Sequence, residues 1–169
     1  EKGSQKLLDI LNKGFTLKDV FSAVKKLRNT GDFTIIATFI IGGPDETVYD
    51  VYKTIKLALE LDLDYVHFHI CRIYPGTALW NEGIRRGIVE PDYYHRFLAN
   101  IDREDRIPVP VWEEKIDRST LEKLRKVAYI KFYFRPSYIL KKLKRLRSFF
   151  DLFRMIREYT TWLFIILSS

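Results

Sequence analysis

Cysteine is nearly missing from this 169-residue chain, where Cys71 stands alone. A single thiol excludes an internal disulfide and any all-cysteine metal or cluster site built from this chain, and it fits a reducing, cytoplasmic setting. Long apolar runs are missing too. The longest, Trp162 to Leu167, falls far short of the roughly 20 residues that span a bilayer, so no transmembrane helix is expected. The opening Glu1-Lys-Gly-Ser4 has no Met and no basic-then-apolar leader, which reads as no signal peptide and as a start that is cut. Acid is scarce late in the chain. From Arg135 to Arg157, Asp151 is the single carboxylate against Arg135, Lys141, Lys142, Lys144, Arg145, Arg147, Arg154 and Arg157.

What is present is enough apolar mass for one core. With 47% apolar and 15% aromatic residues and a net charge of +7, the chain fits one domain plus an appendage. Leu7, Leu8 and Leu11 form a short helical face, with Gly14 as its expected cap. Thr16 is placed to start a second helix, in which Leu17, Val20, Phe21, Val24 and Leu27 recur at helical spacing up to Thr30-Gly31. Phe33 to Ile41 reads as a strand buried on both faces of a parallel sheet. Asp45 is the expected cap of the next helix, whose face is Val48, Val51, Tyr52, Ile55 and Leu59. Tyr65 to Ile73 reads as another strand, and Thr77 to Arg86 as a short helix.

Strands alternating with helices of this length indicate right-handed βα units and a parallel sheet. Two strands do not make a stable sheet, so further strands are expected upstream of Glu1. After Gly87 the pattern turns polar and proline-punctuated, and 91–117 is expected to be an irregular connection. Ser119 or Asp117 can start a helix with Leu121, Leu124, Ala128 and Phe132 on one face, stopped near Arg135 by Pro136. The remainder, from Tyr138 to Leu167, is basic, aromatic and expected to be helical.

Several segments together carry a resemblance. Glu1-Lys-Gly-Ser-Gln5, Leu11-Asn-Lys-Gly14, Phe39-Ile-Ile-Gly-Gly-Pro-Asp-Glu46, Leu61-Asp-Leu-Asp-Tyr-Val66 and Tyr74-Pro-Gly-Thr77 stand in the order and spacing seen in radical S-adenosylmethionine (SAM) enzymes. The chain most resembles the class with an N-terminal cobalamin-binding domain, and Leu124 to Leu140, with Tyr133-Phe-Arg-Pro136, resembles that class's tail. The resemblance implies an α/β fold. Residues 1–90 would be the C-terminal portion of a partial (β/α)6 TIM-like barrel, and 118–169 a helical C-terminal extension. It further implies a parent enzyme, a methyltransferase or cyclase, whose 4Fe–4S cluster is held by a CxxxCxxC loop in the missing N-terminal part. Alone, the present chain would be inactive.

In that family the fourth barrel strand ends in a polar residue that bonds the SAM ribose, and Glu1, with Ser4 beside it, stands at that position. A carboxylate can accept from both ribose hydroxyls. Lys13 matches the basic residue that faces the methionyl carboxylate. Thr38, Ile40, Gly42 and Gly43 match the fifth-strand element that flanks adenine, although Thr38 replaces the pattern's first glycine. Glycines let a ligand lie against backbone at a strand's C-terminal end, where parallel α/β folds bind ligands. Arg72 and Ile73 match positions bordering adenine after the sixth strand.

By the two-residue period, Tyr65, His67, His69 and Cys71 share one strand face and Val66, Phe68 and Ile70 the other. The histidines therefore point away from the helices, where they can touch substrate, act as acid or base, fill a polar interior or join a metal. The substrate is expected to be a small molecule or a lipid.

The tail 138–169 mixes cations with aromatics, as an interfacial helix on anionic lipid does, which would place the protein peripherally on the inner membrane face. A helix simply packed on the body fits equally. Nucleic acid is not expected, because the aromatics cluster instead of interleaving with the cations. A phosphate-binding loop at Gly42-Gly43 is disfavoured, since no Lys-Ser or Lys-Thr follows.

Overall fold

The computed structural model describes residues 1–99 and 109–144, with three isolated helical positions at 153, 157 and 160. In chain order the elements are α1 (Gln5–Ile10), α2 (Leu17–Thr30), β1 (Ile36–Ile41), α3 (Val48–Glu60), β2 (Tyr65–Ile70), α4 (Ala78–Arg85), α5 (Tyr93–Ala99), α6 (Arg118–Tyr133) and α7 (Pro136–Lys144). β1 and β2 run parallel, in register from Ile36 beside Tyr65 to Ile41 beside Ile70. The described residues thus form an α/β unit around a two-stranded parallel sheet, and do not by themselves close a barrel.

Local chemistry fixes where the helices begin. Thr16 and Asp19 form a reciprocal capping box on α2, and Thr47 and Asp50 form another on α3. Thr77 caps α4 and Asp117 caps α6, each accepting from a backbone N–H three residues on. Each such cap contributes about 1 kcal/mol. Two expected caps are corrected. At α3 the cap is Thr47, because Asp45 lies in a left-handed turn at φ 60°. At α1 the chain turns left-handed at Asn12, φ 50°, two residues before Gly14.

β1 buries Phe39 and Ile41 and β2 buries Val66, Phe68 and Ile70, all on the face toward the helices. Val51, Ile55 and Ala58 of α3 and Leu121, Leu124, Ala128 and Phe132 of α6 complete this core. The Phe39 and Phe68 rings stack at 5.3 Å, and Tyr129 meets Phe68 edge-on at 5.4 Å. The other face, with Ile36, Thr38, His67 and His69, is exposed, so β1 is covered on one face instead of the expected two. Val48 and Tyr52 of α3 are likewise exposed, the buried face of α3 being Val51, Thr54, Ile55, Leu57 and Ala58.

Within the stretch expected to be irregular, α5 is helical, and Val111 forms an antiparallel bridge to Arg72. Pro136 does not simply stop a helix. It opens α7 at the first helical position, where its missing N–H costs no bond. Tyr138 is buried in the main core, so the start of the basic tail packs on the body. The tail beyond 144 lies outside the described residues apart from the three isolated positions.

Tyrosine hydroxyls cover the outer edge of β2. Tyr133 Oη accepts from the Val66 N–H at 3.1 Å and donates to the Val66 carbonyl at 3.0 Å. Tyr129 Oη accepts from the Phe68 N–H at 3.0 Å, and Tyr138 Oη donates to the Asp64 carbonyl at 2.6 Å. The spacing explains the fit. Four helical residues advance about 6 Å and two strand residues about 6.6 Å, so tyrosines one turn apart meet alternate residues of an antiparallel strand edge.

At the opposite edge the Ile40 N–H donates to the Glu1 carbonyl at 3.0 Å. The same segment lies directly on α3: the Gly3 N–H donates to Thr54 Oγ1, and a Cβ on Gly3 would sit 2.3 Å from the Lys53 carbonyl oxygen.

Candidate functional site

The backbone just past the C-terminal end of each strand borders a cavity of about 650 Å³. Ile40, Gly42, Gly43 and Pro44 line it from the β1 side, His69, Ile70, Cys71 and Arg72 from the β2 side, and Glu1, Leu7, Leu11 and Lys13 from the first segment. Arg118, Glu122 and Arg125 of α6 close a further wall. This is where a parallel α/β sheet presents converging backbone groups to a ligand.

Most of the residues expected from the sequence meet here. Glu1 and Lys13 form an ion pair at 2.6 Å, each with about a third of its side chain exposed. A pair so exposed contributes little to stability, about 0 to 1 kcal/mol, and its members can exchange partners for a ligand at small cost. Gly42 and Gly43 have φ of 78° and 123°, a region that side-chain-bearing residues avoid. Their Cβ directions face protein: at Gly42 a Cβ would stand 3.1 Å from Leu121 Cδ1, and at Gly43 3.6 Å from Cys71 Sγ. The glycines thus let α6 and β2 close beneath the cavity while the turn borders it.

Four expected residues fall elsewhere. Ser4 is buried at the start of α1 and Ile73 lies fully buried with Trp80, Val89 and Trp112. The Ile73 N–H is taken by the Pro110 carbonyl. Thr38 and His67 are register partners on the exposed sheet face, outside the cavity lining. His69 does line it, with its ring 6.2 Å from that of His67. Among the described residues no group of three or more His, Cys, Asp or Glu is arranged to hold a metal ion.

The strongest electrostatic feature here is one that sequence reasoning missed. Lys2 and Glu46 are both buried and pair at 2.5 Å, and Lys2 Nζ also donates to the Gly42 carbonyl at 2.5 Å. Burial pushes the Glu46 carboxyl up to about 7, against the opposing pull of the Lys2 charge and hydrogen bond. Its second oxygen, Oε1, is buried without a hydrogen-bond partner. Lys2 thus ties the first segment to the glycine turn. Burial also pushes the Cys71 thiol up, which disfavours the thiolate that a metal or cluster ligand requires.

A second network fixes the rim. Arg86 bonds Glu82, Glu114 and Asp45, and Lys115 also reaches Asp45. These contacts tie the turn after Gly43 to α4 and to the strand-like segment around Trp112. The α6 wall had a readable signal, since 118, 122 and 125 share one helical stripe beside the buried Leu121–Leu124–Ala128 face.

No family model matches the chain. Over 142 residues it is 36% identical to an uncharacterized methyltransferase of Pyrococcus horikoshii, a match covering 83% of this chain and 29% of that protein. It is 31% identical over 81 residues to a tRNA-2-methylthio-N(6)-dimethylallyladenosine synthase of Thermosipho africanus, covering 47% of this chain and 19% of that protein. The same-named protein of Polynucleobacter asymbioticus is 34% identical over 82 residues, covering 48% and 18%. The chain spans less than a third of the length of each of these relatives. Together the likenesses support a relationship to methyltransferases and to radical SAM enzymes, and they do not bear on a cobalamin-binding domain.

Proposed function

We propose that this chain is the C-terminal part of the barrel of a radical SAM enzyme, a methyltransferase or cyclase, and that it supplies one side of the SAM site. The observation that carries the reading is the cavity at the strand ends, where Glu1, Lys13, Ile40, the two glycines and Arg72 converge from three separate segments. In this reading Glu1 turns from Lys13 to the ribose hydroxyls, and Lys13 holds the methionyl carboxylate. Ile40 and the Gly42-Gly43 backbone flank adenine with Arg72 at its border, and His69 faces the substrate. SAM held by these residues, beside a 4Fe–4S cluster carried elsewhere in the protein, would supply radical chemistry for hydrogen abstraction at the cavity. Cys71, single and held protonated by burial, does not fit a cluster ligand, so the thiolates belong to an upstream part of the protein. The exposed face of β1 and β2 would then look into the barrel, with the remaining strands added beyond β1. Cobalamin dependence follows from the family resemblance alone.

The test is SAM binding by the full-length protein. Lys13→Met is expected to weaken it about tenfold, the cost of one charge-assisted hydrogen bond, with the melting temperature unchanged. Full affinity in Lys13→Met and in Glu1→Gln would sink the reading, as would the absence of a CxxxCxxC motif upstream of residue 1.

One observation favours an additional membrane role for 138–169. On α7, Leu140 and Leu143 are exposed while Tyr138 is buried, which leaves apolar side chains outward on a basic helix. Among the described residues no helix is long and apolar enough to cross a membrane. Peripheral attachment predicts that anionic liposomes pellet the full-length protein and fail to pellet one lacking 138–169.

A further inference from the structure

The cavity carries more positive charge than SAM can use. Five cations line it: Lys2, Lys13, Arg72, Arg118 and Arg125. Three of them are matched by carboxylates, Lys2 by Glu46, Lys13 by Glu1 and Arg125 by Glu122 at 2.6 Å. Among the described residues no carboxylate lies within ion-pair distance of the side chain of Arg72 or Arg118.

Arg118 is also placed against its helix. It occupies the first turn of the 16-residue α6, a turn with no acidic residue, so a cation sits at the positive end of the helix dipole. That position favours anions and disfavours cations. Asp117 at the N-cap and Glu113, which accepts the Arg118 backbone N–H at 2.9 Å, bring negative charge to this helix end, but neither pairs with the Arg118 guanidinium, which is left to a negatively charged group at the cavity.

SAM does not supply that charge. It carries a sulfonium, an ammonium and one carboxylate, hence a net single positive charge, and its carboxylate is already assigned to Lys13. We infer that Arg118 seats an anionic group of the substrate, a phosphate or a carboxylate. This rests on the SAM reading above, because it assigns to the substrate the charge that the cofactor leaves unmatched. Guanidinium suits the task, since its planar fork donates two parallel hydrogen bonds to either group. Arg125, already held by Glu122 one turn earlier, extends the same stripe and can turn toward the anion.

The experiment is equilibrium dialysis of the full-length protein against radiolabelled inorganic phosphate, acetate and SAM, each measured separately. Arg118 is the discriminating position, because it is exposed and has no part in the proposed SAM contacts. One saturable anion site is expected. Arg118→Gln should weaken it about tenfold, as loss of a charge-assisted bond implies, while Arg118→Lys retains most of the affinity and SAM binding is unchanged in both. Preference for phosphate over acetate, or the reverse, identifies the group and supports the inference either way. Equal anion binding by wild type and Arg118→Gln would overturn it, as would no saturable binding of either anion. SAM affinity falling in step with anion affinity would also overturn it, by assigning Arg118 to the cofactor. A wild type that binds anion through Arg118 and fails to bind SAM would keep the anion seat and sink the cofactor reading.

Discussion

The two edges of the sheet are finished by different chemistry. Along β2, neutral tyrosine hydroxyls from α6 and α7 satisfy the outward backbone groups of Asp64, Val66 and Phe68. Along β1, the neighbouring segment is held by one backbone bond to Glu1 and by the buried Lys2–Glu46 pair. An edge whose N–H and C=O groups already have partners cannot template another strand, so the sheet can be extended beyond β1 and not beyond β2. The difference also separates structure from site: the neutral edge lies over the core, and the charged one borders the cavity.

The largest effect is expected from breaking the charged edge. Lys2→Met would leave the Glu46 carboxylate buried without its partner and lower stability by about 3 to 5 kcal/mol, the usual cost of orphaning a buried charge. Denaturant unfolding reads this. Adding Glu46→Leu to Lys2→Met should recover much of the loss, and no recovery would show that Lys2 acts through Gly42 instead of Glu46.

Breaking the neutral edge costs less. Tyr133→Phe strands one buried N–H and one carbonyl on Val66, with an expected loss of about 1 to 3 kcal/mol. Tyr129→Phe should cost less, because its site is half-buried and its donated bond to the Phe68 carbonyl is 3.4 Å long. Equal losses in the two variants would contradict the burial-based ranking.

A smaller effect separates the edges by pH. Because burial raises the folded-state Glu46 carboxyl from 4.5 to about 7, the folded protein binds this proton more tightly than the unfolded chain. Stability from this group therefore falls as pH rises from about 4.5 to 7, and is regained on acidification through that window. Melting temperature should rise modestly between pH 7.5 and pH 5.5 relative to Glu46→Gln, and the tyrosine variants should keep that slope. Asp64 works in the opposite sense and lower down. Although burial opposes it, the Ile35 N–H and Arg28 hold its carboxyl below the usual range. Its contribution is complete above the ordinary aspartate range and is lost as pH falls through the lowered value. Smallest of all, Thr38→Ala, on the exposed face, should change stability by no more than about 0.5 kcal/mol.

Features set by neighbours along the chain were legible in the sequence. Thr16 and Asp117 act on N–H groups three residues away, and the Leu121–Leu124–Ala128–Phe132 stripe follows from helical period alone. The order of strands and helices, the two faces of β2 and the glycine turn follow in the same way. Asp45 misled because Pro44-Asp45 extends the turn and hands the cap to Thr47. Partners distant in sequence left no local trace. Lys2 meets Glu46 across 44 positions, and Tyr133 meets Val66 across 67. Positions 118, 122 and 125 share one helical stripe that the sequence shows, but that this stripe borders the cavity at the strand ends is set by contacts distant in sequence.

Gly3 shows how an absent atom can set a distance. Its backbone lies so close on α3 that even a methyl group would overlap the Lys53 carbonyl. A side chain there would have to lever the whole first segment off the helix, and Glu1 and Lys2 would travel with it. The separation between the Glu1 carboxylate and the glycine turn, which decides what can fit between them, is therefore calibrated by a residue that touches no ligand. Position 3 works as a spacer of zero thickness, and a larger residue there would change what the cavity can hold before it changed any group that lines it.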